Sequence, residues 1–329
     1  MSSKLMLLSP FNFSKTLTLK NRVALAPLTR ARTEDQVPKS WMVDYYVQRA
    51  SAGLLITEAT SISEQGTGWP CVPGIYTPEH VEGWKLVTDA VHAKGGVIFL
   101  QAWHMGRVTH SSYYGLQPIS ASAVVANGDG ALGKDCAKHP YEVPRALEIS
   151  EIPSLIEEYV NAAKCSKEAG FDGFEIHSAN GYLLDQWLQS YTNKRTDSYG
   201  GSFENRFRLL KEIIIGVSSV FPLDRIGVRL SPNGVYNDMG SEDNFEMFTF
   251  VISELNKLGI GYVHVMDGLG FGFHNKDKVF RLADARKHFD RTIIGNCGYT
   301  RDTAEGAVGT GAADMISFGR PYLANPGFL

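Results

Sequence analysis

Eight short runs of apolar or β-branched residues, each closed by a polar or glycine-rich turn, recur at Arg22 to Pro27, Leu54 to Glu58, Val97 to Gln101, Gly173 to His177, Ile226 to Leu230, Tyr262 to Met266, Thr292 to Asn296 and Asp314 to Phe318. Runs this short suit strands covered on both faces. Between them lie segments of helical period with boundary signals: Glu79 to Ala93, Ile152 to Ala169 behind a capping Ser150, Phe203 to Val220 behind Ser202, and Asn244 to Leu258 ahead of Gly259. A weaker helical pattern covers Trp41 to Ala50. Strand and helix alternate, which requires parallel strands joined by right-handed crossovers. Eight such units predict a single α/β domain over residues 1–329, a closed (β/α)8 TIM barrel.

Two connections exceed what a barrel needs, namely Ser61 to Pro78 and the roughly 50 residues after Gln101, a length usually reserved for lids and binding loops. In the second, Ile119 to Val125 and Tyr141 to Glu148 are expected to pair as a β-hairpin across Asn127 to Gly130, a lid inserted after the third strand. The chain stops at Leu329, soon after the last run, so the eighth helix is expected to be missing. The apolar face it would cover invites association, which allows for a homo-oligomer.

Composition narrows the partners. A net charge of -3 with no run of like charges excludes the basic patch that nucleic acid requires. The longest apolar stretches, such as Val97 to Leu100, fall far short of the ~18 residues of a bilayer span, and no leader pattern precedes them. The chain therefore reads as a soluble, cytoplasmic protein. Its 4 cysteines lie far apart and its 9 histidines show no ligand spacing, so neither disulfides nor a metal site is expected.

In a barrel the chemistry belongs at the C-terminal ends of the strands. Those ends carry Thr29, Glu58, Gln101, His177 with Asn180, Arg229, Asp267, Asn296 and Arg320. His177 and Asn180 leave the fourth strand on one turn, where two neutral donors can meet one oxygen and stabilise negative charge developing on it. A structural histidine beside a loop asparagine is the competing reading. Tyr182 offers either a proton or a wall aromatic. Arg229 sits within Ile226-Gly227-Val228-Arg229-Leu230, where a cation needs an anion, an acceptor, or an internal salt bridge with Glu58 or Glu175. Gly295 to Gly298 and Gly319-Arg320 follow the seventh and eighth strands, the usual phosphate position of this architecture, although tight turns alone also use glycine. Gly268 to Gly272 lacks the helix and trailing acid of a dinucleotide fingerprint.

Several strings together resemble the Old Yellow Enzyme family of FMN-dependent ene-reductases, which includes the plant 12-oxophytodienoate reductases. They are Arg22-Val23-Ala24-Leu25-Ala26-Pro27-Leu28-Thr29-Arg30, Gln101-Ala102-Trp103-His104, His177-Ser178-Ala179-Asn180-Gly181-Tyr182-Leu183, Arg195-Thr196-Asp197-Ser198-Tyr199-Gly200-Gly201-Ser202 and Phe318-Gly319-Arg320-Pro321. The matches run in order from about Leu8 to Leu329. The resemblance implies that Pro27, Thr29, Ala59, Gln101 and Arg229 line the isoalloxazine of FMN, and that Gly298, Gly319 and Arg320 hold its phosphate. It implies further that His177 and Asn180 bind the carbonyl oxygen of a small-molecule enone, that Tyr182 protonates its α-carbon, and that Trp103 shapes the pocket. The implied reaction is ping-pong: NADPH or NADH reduces the flavin, and the alkene then takes the hydride. Many oxophytodienoate reductases carry histidine where this chain has Asn180, which points to a general ene-reductase. The family continues past the point where this chain stops, so a catalytically weak flavin-binding barrel stands as the alternative.

Overall fold

The computed structural model describes residues 5–327. Strands β1 (Val23–Leu25), β2 (Leu54–Ser61), β3 (Ile98–Trp103), β4 (Gly173–Ser178), β5 (Ile226–Leu230), β6 (Tyr262–Met266), β7 (Thr292–Asn296) and β8 (Met315–Phe318) form a closed, all-parallel barrel. Each of the eight expected runs supplies one strand. Every residue of β2 to β8 is buried, as strands covered by helices outside and packed side chains inside must be.

Around the barrel run α1 (Ser40–Val47), α2 (Pro78–Ala93), α3 (Ile152–Glu168), α4 (Leu183–Leu188), α5 (Phe203–Val217), α6 (Asn244–Leu258), α7 (Leu282–Arg286), α8 (Arg301–Gly309) and α9 (Arg320–Ala324). Gly259 ends α6 in the left-handed region at φ 84°, a conformation glycine adopts without a Cβ clash. Ser202 caps α5 by accepting the Asn205 N–H. That helix stops three residues short of the expected Val220, because the Ser218 and Ser219 hydroxyls take the carbonyls of Ile215 and Gly216. Ser150 does not cap α3. A 3-10 turn over Ile149–Glu151 precedes that helix, and the reciprocal bonds there are made by Glu148 and Glu151. Among the described residues β8 is followed only by the five-residue α9, and no helix is long and apolar enough to cross a membrane.

An antiparallel hairpin of Phe11–Ser14 and Leu17–Leu19, absent from the sequence reading, closes the N-terminal end of the barrel. Phe13 enters there edge-on, with its ring 5.8 Å from Phe99 and 5.6 Å from Tyr262. The Asn21 carboxamide then ties β1 to β2 by accepting the N–H of Val23 and Gly53. Any Cβ at Gly53 would lie 2.0 Å from the Asn21 carbonyl oxygen, so only glycine allows this approach.

The insertion after β3 corrects the expected hairpin. Ile119–Ser120 and Arg145–Ala146 do pair, but in parallel. The antiparallel hairpin lies between them, joining Ala131–Leu132 to Lys138–His139. Its turn is Gly133–Ala137 rather than Asn127–Gly130, because the Gly133 N–H reaches the Ala137 carbonyl at 2.8 Å. The buried Arg107 guanidinium joins this lid to the loop after β5, donating to the carbonyls of Val124, Asn237 and Asp238.

Candidate active site

Register carries the polar residues of neighbouring strands to common levels. Ala59 pairs with Gln101, Gln101 with Glu175, His177 with Arg229, and Arg229 with His264. The inward side chains at these levels form one buried hydrogen-bond network. Glu175 accepts from Gln101 Nε2 at 2.7 Å, from the Tyr262 hydroxyl at 3.0 Å and from His264 Nδ1 at 3.0 Å. His264 Nε2 meets the Ser317 hydroxyl at 2.8 Å, Asn296 Nδ2 donates to that hydroxyl at 2.7 Å, and Arg229 Nη2 donates to Asn296 Oδ1 at 2.9 Å. Arg229 therefore has an acceptor in Asn296. Neither acid expected for it forms an ion pair with it among the described residues: Glu175 is taken by Gln101, Tyr262 and His264, and Glu58 turns toward the loop after β1.

Burial opposes the charge of Glu175, but the hydrogen bonds from His264 and Gln101, with the Arg229 cation nearby, outweigh it and hold the carboxyl below its usual range. Burial pushes His264 down despite Glu175, so the pair is a carboxylate with a neutral imidazole that donates from Nδ1. Burial, with Arg229 and His264 nearby, pushes His177 well below the ordinary histidine range. His177 is thus a neutral donor.

Above this floor opens a groove of about 470 Å³, within the size range of cofactor sites. Of the residues expected from the sequence, Pro27, Asn180, Arg229, Gly298, Gly319 and Arg320 line it. Ala59, Gln101, Trp103, His177 and Tyr182 are buried and are not among its lining residues, although His177 pairs with the groove residue Arg229, and Thr29 lies exposed on the loop after β1. Asn180 takes φ 58°, which asparagine tolerates better than most residues. Its turn is tied down by Ser231 Oγ, which accepts the Asn180 N–H at 2.7 Å, and by Asn237 Nδ2, which donates to the Asn180 carbonyl at 2.8 Å. Tyr182 stands between His177, with ring centroids 5.1 Å apart, and Trp103, at 4.9 Å. Burial raises the Tyr182 pKa, so its hydroxyl keeps its proton.

The donor set suits a heterocycle with an anionic tail. Arg229 Nε and His177 Nδ1 are buried without a partner in the protein. At the other end Gly298 holds φ 88° with open space where a Cβ would stand, and Arg320 adds a cation to the same groove.

Sequence reasoning undervalued Glu175 and missed His264 and Ser317. The available signal was an acid and an imidazole inside apolar runs, with Glu175 two residues before His177 and hence on the same side of the strand. It also missed Met266 and Phe271, which line the groove from β6 and the loop after it.

Comparison with known proteins gives concordant matches. The NADH:flavin oxidoreductase / NADH oxidase family profile matches residues 6–329. The chain is 41% identical to 12-oxophytodienoate reductase 1 of Oryza sativa subsp. japonica over 323 residues, 97% of this chain and 84% of that one. It is similar to the solved Old Yellow Enzyme homologue from Zymomonas mobilis, with TM-score 0.92 and 44% identity over 98% of this chain and 90% of that one. Morphinone reductase in complex with tetrahydroNAD superposes with TM-score 0.91 and 40% identity, over 98% of this chain and 88% of that one.

Proposed function

The chain belongs to the NADH:flavin oxidoreductase / NADH oxidase family, the family of Old Yellow Enzyme, and from that premise we propose that it is an FMN-dependent ene-reductase. Its substrates on this reading are small α,β-unsaturated ketones and aldehydes, its reductant is NADPH or NADH, and it works in the cytoplasm by alternating half-reactions. The observation that carries the reading is the groove shared by Asn180, Arg229, Gly298 and Arg320, with a neutral His177 paired beside Arg229 on the neighbouring strand and a protonated Tyr182 against the His177 ring.

Bound FMN would supply the redox chemistry, relaying hydride from the nicotinamide to the alkene. In this reading Pro27, Thr29, Ala59, Gln101 and Arg229, whose Nε has no partner in the protein, would border the ring. Gly298, Gly319 and Arg320 would hold the phosphate. His177 and Asn180 donate to the substrate carbonyl oxygen, stabilising the charge that grows there in the transition state more than the neutral ground state. Because His177 is a neutral imidazole, it donates a hydrogen bond without handing over a full proton. Tyr182 delivers its proton to the α-carbon, and Trp103 fixes the tyrosine ring edge-on.

Purified protein should be yellow, lose its colour under NADPH without oxygen, and regain it when 2-cyclohexenone is added. Failure to regain colour would favour a flavin-binding barrel of little turnover. Arg229→Ala should weaken FMN retention about 10- to 100-fold, the range expected for one charge-assisted hydrogen bond. Unchanged flavin content in the purified variant would remove Arg229 from the cofactor site.

A further inference from the structure

A buried carboxylate outside the chemistry above governs one wall of the groove. Glu58 lies on β2 where the pairing with β3 slips: Ile56 faces Phe99 and Ala59 faces Gln101, so Thr57 and Glu58 together oppose Leu100. This is a β-bulge, a device that re-aims side chains. Glu58 Oε2 accepts the N–H of Arg30 at 2.9 Å and of Ala31 at 3.2 Å, while Oε1 is buried without a partner. Two successive main-chain N–H groups converging on one anion form a nest. Ala31 holds φ 51°, a conformation that a residue with a Cβ keeps only when its surroundings impose it. The loop that Glu58 shapes begins with Pro27 and Leu28, both lining the groove. It also passes so close to β8 that a Cβ on Gly319 would stand 3.0 Å from Leu28 Cδ2.

We propose that Glu58 is a positioning residue for the cofactor: its ionised carboxylate folds the Pro27–Ala31 loop and holds that groove wall in place, and it slackens the wall on taking up a proton. The proposal rests on the flavin reading above. Burial is the largest influence on Glu58 and raises its pKa to about 7, against the two N–H groups, Arg30 and Tyr46. The Tyr46 hydroxyl accepts the Glu58 N–H at 2.9 Å, and Tyr45 stands beside it with Arg30 and Arg49 over its ring at 5.5 and 4.0 Å. Burial raises both tyrosines, and the carboxyl is the group that burial brings to about 7. Charge-assisted bonds are roughly twice as strong as neutral ones, so the ionised form grips the loop harder.

Glu58→Gln supplies a neutral group of the same shape. FMN affinity of the whole chain can be read from the flavin fluorescence released as holoenzyme is diluted at pH 8 and pH 6. At pH 8 the variant should bind FMN about tenfold more weakly than wild type, and at pH 6 the two should converge. The FMN phosphate titrates near pH 6 but cancels in the ratio of the two proteins. Riboflavin, which lacks the phosphate, gives a second readout on wild type alone should the variant not fold. Its affinity should fall as pH drops through about 7. A ratio that does not change with pH, or a flat riboflavin profile, overturns the role of Glu58. If wild type binds neither flavin, the flavin assignment itself fails and the role of Glu58 falls with it.

Discussion

Replacing His177 by alanine should slow reoxidation of the reduced enzyme by an enone about 10²- to 10³-fold, while reduction by NADPH changes little. The magnitude is that of removing one preorganised donor to a developing oxyanion, about 2.7–4 kcal/mol of barrier. The asymmetry follows from chemistry: the enone gathers negative charge on its carbonyl oxygen during hydride transfer, and a nicotinamide giving up hydride does not. The site is also built for an electrostatic role. His177 is 3% exposed, neutral, and has a free Nδ1. Stopped-flow absorbance separates the two half-reactions, and equal losses in both would mean that His177 supports the fold instead.

Glu175→Leu should unfold the barrel far more easily, by about 3–5 kcal/mol, because it removes the anion of a buried ionic network and leaves Arg229 uncompensated. Leucine fills much of the space but accepts nothing, which strands the Gln101, Tyr262 and His264 donors that converge on the carboxylate. For a chain of this size the melting temperature should fall by roughly 10 °C. Glu175→Gln, which keeps an acceptor oxygen, should lose less. A leucine variant that melts within about a degree of wild type would mean that the three donors and Arg229 find other partners.

How much the sequence disclosed depended on the signal each element carries. The eight barrel strands were legible because burial on both faces leaves compact apolar runs, and α6 was legible because Gly259 marks its end. The Phe11–Ser14 and Leu17–Leu19 hairpin was not, since its short strands mix apolar with polar residues and its worth lies in one phenylalanine meeting Phe99 and Tyr262 across the chain. The lid was misregistered because two-residue ladders leave almost no pattern to read. Within the site, Arg229 announced itself as a charge inside an apolar run. Glu175 and His264 carried the same signal, but its meaning depends on the register that brings their strands level. Ala59 and Trp103 have no chemical signal of their own and were reached only through family resemblance. The loop at Glu58 was hidden for another reason: Ala31 adopts a backbone conformation that its residue type does not advertise.

Phe13 packs into the far end of the barrel against Phe99 and Tyr262, opposite the strand ends that frame the groove. On the alternating reaction proposed above, donor and acceptor would share that one vestibule, so a molecule that lingers there would block its successor and an excess of either should slow turnover.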